Sequence, residues 1–130
     1  MLAKKAALAI DAKKGEDIVL IDVQGLSSVT DYMLLATGSS PPHLKAMFSG
    51  VLQALKERGV TCYRHSGSSE SGWIVMDYID AVIHILSPEM RRYYAIEELC
   101  PTAPRPNWST PRTKDRRPSP APAEAGSPEP

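Results

Sequence analysis

Apolar and polar positions alternate along the first 100 residues in a way that predicts helices and strands in turn. Residues 2–13 are rich in Ala, Leu and Lys and contain neither Gly nor Pro, which favours helix. Ile18 to Val23 is a nearly unbroken apolar run of strand length. Gly25 to Asp31 reads as a connecting turn, and Tyr32 to Thr37 as a second strand closed by Gly38. Ser39-Ser40-Pro41-Pro42 is a helix start: serine caps free N–H groups, and proline fits the first turn. Leu44, Met47, Phe48, Val51, Leu52 and Leu55 then follow at helical spacing as one apolar stripe, and Gly59 is the stop, giving a helix over 41–58.

Three more strands are predicted: Thr61 to His65, Trp73 to Asp77, and Ala81 to Leu86. Only Tyr78-Ile79-Asp80 joins the last two, so they form an antiparallel hairpin. Ser66 to Gly72 reads as a flexible run. Ser87-Pro88-Glu89 starts a final helix over 88–99, with its acid near the positive end of the helix dipole. The order α-β-β-α-β-β-β-α, with a helical crossover that permits one parallel pair, predicts an α+β fold. Its core is a mixed sheet of about five strands flanked by helices.

Composition divides the chain at residue 101. Nine of the twelve prolines lie in 101–130. That stretch has almost no large apolar side chains, so it reads as a disordered tail behind a domain of residues 1–100. Trp108 is the exception, either docked on the domain or exposed. Residues 1–100 carry 10 basic and 12 acidic side chains, too even a balance to gather phosphates by charge alone. No apolar run approaches the roughly 20 residues needed to cross a bilayer. Charges at Lys4, Lys5, Asp11, Lys13 and Lys14 break any secretory pattern, so Cys62 and Cys100 read as free thiols of a cytoplasmic protein. With no CxxC spacing and three histidines, no metal or other cofactor is expected.

Thr37-Gly38-Ser39-Ser40 is the best candidate for catalysis, because a Gly-Ser corner before a helix can hold phosphate, as in nucleotidyltransferases. Those enzymes also need carboxylates downstream for metal ions, and residues 39–56 contain no Asp or Glu. A structural turn, and a protein that is not an enzyme, is the better reading. Asp22, Asp31, Asp77 and Asp80 sit where turns favour aspartate, with interface polar groups or a metal cluster as the alternatives, and His84 lies in an apolar strand as a structural histidine. Arg91 and Arg92 read as a solvated helix face, with RNA contact as the alternative. Trp73, at the rim of the sheet after a flexible run, and Tyr78 in the hairpin turn read as interface anchors, with Trp73 as core filler the alternative. The expected working surface is Gly72 to Asp80.

Three stretches then resemble one family: Glu16-Asp17-Ile18-Val19 with Asp22 to Tyr32, Thr37-Gly38-Ser39-Ser40, and Trp73 to Tyr78 with Asp80, Val82 and His84. Glu89, Arg91, Tyr94, Glu97 and Leu99 add its last helix. The ordered set is similar to the Iojap/RsfS family of ribosomal silencing factors. The resemblance implies a fold related to nucleotidyltransferases without their catalytic residues. It implies binding to the large ribosomal subunit through its fourteenth protein, uL14, with ribosomal RNA or other protein nearby. Such binding blocks joining of the small subunit and represses translation when nutrients are scarce. Relatives in organelles assist large-subunit assembly, which is the alternative role. Carried over by position, the partner-binding residues are Gly72, Trp73, Asp77, Tyr78, Ile79 and Asp80. The protein would be a monomer on the ribosome, with a homodimer open to the free chain. Two departures stand out: Ile79 occupies the family's usual glycine, and Cys100 its usual tryptophan.

Overall fold

A computed structural model describes residues 2–99 and 101–108. The Cys100 thiol and the expected disorder of 109–130 lie outside the described residues. Helix α1 (Leu2–Ala12) buries Ala3, Ala6, Ala7 and Ile10, spaced so that small side chains line one face. That face lies against α2 (Pro41–Lys56), which buries Leu44, Met47, Val51 and Leu55. Ser40 caps α2, its hydroxyl accepting from the His43 N–H at 3.3 Å. Gly38 leaves room for this helix, since a Cβ there would stand 2.7 Å from Leu44. The Gly-Ser corner is therefore occupied by capping and packing.

Five strands form one sheet in the order β1-β2-β5-β4-β3. They are β1 (Glu16–Asp22), β2 (Tyr32–Thr37), β3 (Arg64–Ser68), β4 (Trp73–Asp77) and β5 (Ala81–Leu86). The β2–β5 pair is parallel and the other pairs are antiparallel. This is the expected mixed sheet and element order. One strand is displaced from its expected place. β3 spans 64–68 rather than 61–65, and the expected flexible run begins inside it. Its five exposed residues are extended because they pair with β4, Ser66 opposite Val75 and Ser68 opposite Trp73. Gly67 suits this edge, for its φ is +82° and a Cβ would strike the Trp73 carbonyl.

Residues alternate between the two faces of the sheet. Leu20, Leu34, Ala36, Ile74, Met76, Ile83 and Ile85 meet the two helices. On the opposite face Ile21, Val23, Leu35 and Leu86 form a smaller core. Its cover comes from the C-terminal part: α3 (Pro88–Tyr94), a 3₁₀ turn (Ile96–Leu99) and residues 101–108. The expected single helix over 88–99 breaks at Ala95, whose left-handed φ of +46° ends α3. Arg91 reaches across to the buried Thr37, its guanidinium donating to the hydroxyl at 2.8 Å. It is a tie between α3 and β2, not part of a solvated face.

The folded contacts continue past residue 100, where the sequence suggested that a tail begins. Ala103 is buried in the smaller core, and the Pro104 carbonyl accepts from the Asp22 N–H at 2.8 Å. The Trp108 indole packs beside the larger core and donates to the Ile18 carbonyl at 3.2 Å. Residues 101–108 thus run as a strap along β1, which is an outer strand of the sheet.

Candidate functional site: an uncovered sheet face

Among the described residues, the sheet face opposite α1 and α2 is only partly covered by α3 and the chain that follows it. Met33 on β2, Val75 and Asp77 on β4, and Val82 and His84 on β5 remain half-buried there. Register places Val75 beside His84, Asp77 beside Val82, and Met33 beside Val82 on its other side. Arg64, Val75, Asp77 and Val82 also line a shallow hollow of about 350 Å³. Trp73 stands at the end of this face nearest α3. Its Nε1–H donates to Nδ1 of His84 at 3.1 Å, and its ring lies 4.5 Å from that of Tyr94. Tyr93 meets Tyr94 edge-on at 4.8 Å and is 79% exposed. Burial lowers the His84 pKa to about 4, which keeps the ring neutral and able to accept from the indole.

The six expected partner-binding residues separate into three groups. Trp73 and Asp77 are on the open face, half-buried. Ile79 and Asp80 are exposed in the hairpin turn. Gly72 and Tyr78 are buried and cannot be surface contacts. Gly72 lies under the start of α3, where a Cβ would sit 2.9 Å from the Ser87 hydroxyl, and its carbonyl accepts from the Ser87 N–H. Tyr78 is only 5% exposed and belongs to the core beneath the helices. The cause is parity. Trp73 and Tyr78 are five residues apart, so alternation sends them to opposite faces. The Tyr78 hydroxyl has no well-formed hydrogen bond. Burial, with the neighbouring Cys62 thiol adding to it, pushes its pKa up to about 12.

The turn itself is unusual. Ile79 has φ of +73°, and the Asp80 N–H donates back to the Tyr78 carbonyl at 2.8 Å. This is the rare γ-turn of positive φ, a strained shape for a β-branched residue. Asp77 holds it, one carboxylate oxygen accepting from the Ile79 N–H at 2.8 Å and the other lying 3.5 Å from Arg64 Nε. The side chain of Ile79 is 56% exposed, so the strain presents an apolar group to solvent. Replacing Ile79 with glycine removes strain of about 1–3 kcal/mol and restores about 1 kcal/mol of unfolded-chain entropy. The expected net gain is about 1 kcal/mol, a rise in Tm of about 4 °C by calorimetry. An unchanged or lower Tm would show that the turn carries no strain.

The Asp80 carbonyl accepts from the N–H groups of Asp31 and Tyr32, which brings the β1–β2 loop to this turn. That loop exposes Leu26 (62%) and Val29 (74%). Sequence reasoning passed over both as turn residues. Two large apolar side chains within Gly-Leu-Ser-Ser-Val-Thr-Asp were the available signal. Asp22 does act as a turn former, its carboxylate accepting from the Gln24 N–H at 2.9 Å. Among the described residues, no group of three or more His, Cys, Asp or Glu side chains is placed to hold a metal ion. No helix of the described residues is long and apolar enough to cross a membrane.

The family model for "ribosomal silencing factor during starvation" matches residues 1–129. The chain belongs to the RsfS family of ribosomal silencing factors. It is 34% identical over 103 residues to the ribosomal silencing factor RsfS of Bacillus subtilis, covering 79% of this chain and 87% of that protein. Identity to the RsfS of Haemophilus influenzae is 37% over 90 residues, covering 69% and 88%. A crystal structure of a Chromobacterium violaceum protein superimposes with a TM-score of 0.74 at 34% identity, over 84% of this chain and 90% of that one. The open face and the strained turn described above are thus features of an RsfS chain.

Proposed function

We propose that this protein silences ribosomes: it binds the large subunit through uL14, stands where the small subunit would join, and so lowers translation when nutrients are scarce. The observation that carries the reading is the partly covered sheet face opposite α1 and α2, set in a chain of the RsfS family. A half-buried tryptophan on an apolar sheet surface, with exposed apolar side chains at its end, suits a protein partner. Trp73, Asp77, Ile79 and Asp80 make the contacts in this reading, with Val75 and Val82 between them. Gly72 and Tyr78 support the surface from below. The near-balanced charge argues for docking on protein more than on bare RNA.

The test uses purified subunits from the source organism. Added protein should co-migrate with free large subunits in a sucrose gradient and slow subunit joining, followed by light scattering. Joining at an unchanged rate, with the protein left at the top of the gradient, would overturn the proposal.

A further inference from the structure

We infer that His84 is the positioning residue of the partner-binding face: it holds the Trp73 indole in one orientation and keeps its N–H satisfied when a partner covers the face. The inference rests on the reading of that face given above.

An indole N–H can only donate, so the Nδ1 atom that it meets must be bare and the imidazole proton must lie on Nε2. The bond is 3.1 Å long and joins residues that are not direct cross-strand partners, since Trp73 pairs with Leu86 and His84 with Val75. It is therefore a diagonal tie across the sheet surface. The His84 ring lies 5.9 Å from the indole, and the Tyr94 ring holds it at 4.5 Å. Gly72 fixes the backbone just before Trp73, packed under Ser87 and Met90. Contacts from β5 and α3, with a fixed backbone, leave the indole little freedom.

Such an arrangement helps binding in two ways. A large side chain ordered in the free protein loses less entropy on docking. A partner that expels water from the face also removes any solvent acceptor, and an indole N–H left without a partner there would weaken the complex. The His84 Nδ1 travels with the protein and supplies that acceptor in both states.

Three measurements test the inference. In the free wild-type protein, ¹⁵N NMR should show His84 with a bare Nδ1 and a protonated Nε2; the opposite tautomer would overturn it without any variant. In His84→Phe, which keeps a ring and removes the acceptor, exchange of the Trp73 indole proton should speed up at least tenfold. The Trp108 indole proton, held by Ile18, is the internal reference and should not change. Affinity for the large subunit should fall about tenfold. In His84→Asn, whose Oδ1 can stand near the place of Nδ1, most of the protection and affinity should return. Unchanged exchange and affinity in a folded His84→Phe protein would overturn the inference, as would a loss of affinity without loss of indole protection. If the wild type fails to bind the large subunit, the functional reading falls, while the tautomer and exchange data still judge the tie.

Discussion

Replacing Trp73 with alanine is expected to weaken large-subunit binding at least thirtyfold. Truncating an anchor aromatic commonly costs about 2 kcal/mol or more of binding, and this residue combines a half-buried ring with a satisfied N–H. The same change removes the tilted ring contact with Tyr94 and the bond to His84, so about 2 kcal/mol of stability should go with it. Binding must therefore be measured below the lowered Tm. Trp73→Phe separates the parts, since it keeps a six-membered aromatic ring and loses the donor with the smaller ring that carries it. Co-sedimentation should fall strongly for alanine and modestly for phenylalanine. A folded Trp73→Ala protein that sediments with large subunits as well as wild type would remove Trp73 from the contact surface.

The second large effect concerns stability. Trp108→Ala should lower the unfolding free energy by about 2 kcal/mol, roughly half the usual cost for a fully buried tryptophan, because Trp108 is half-buried. The corresponding fall in Tm is about 8–10 °C for a domain of this size. Its indole bond to the Ile18 carbonyl is lost with it, leaving that strand edge to water. Large-subunit binding should hold at temperatures where the variant is folded, because Trp108 packs with the core on the helix side of the sheet. Equal melting curves for wild type and variant would mean that the strap contributes nothing to the fold.

The contrast between these two tryptophans shows what a sequence discloses. β2, β4 and β5 carry continuous or alternating apolar residues, and their ends were legible to the residue. The Ser40 cap and the apolar stripe of α2 were equally plain. β3 was not, because Arg-His-Ser-Gly-Ser has no strand pattern of its own and owes its shape to β4. The break at Ala95 has no glycine to mark it. Within the site, Trp73 was singled out by its place at the start of a strand, at the rim of the sheet, and it lies half-buried on the open face. Pairing it with Tyr78 failed because closeness in sequence was allowed to outweigh alternation, which places residues five apart on opposite faces. The strap was hidden for another reason. Proline-rich chain buries surface without periodicity, so only the presence of Trp108 pointed to it.

The strap also governs how the sheet can extend. A β-sheet grows without limit only if each added copy offers a fresh unpaired edge. Here Asp22 and Ile18 on β1 already have partners in residues 101–108, which leaves β3 as the accessible flank. Two copies could meet β3 to β3 and close a two-fold pair whose outer sides are both strapped. A third copy would find the β1 edge already taken at Asp22 and Ile18, so the strap opposes growth of the sheet into a fibre.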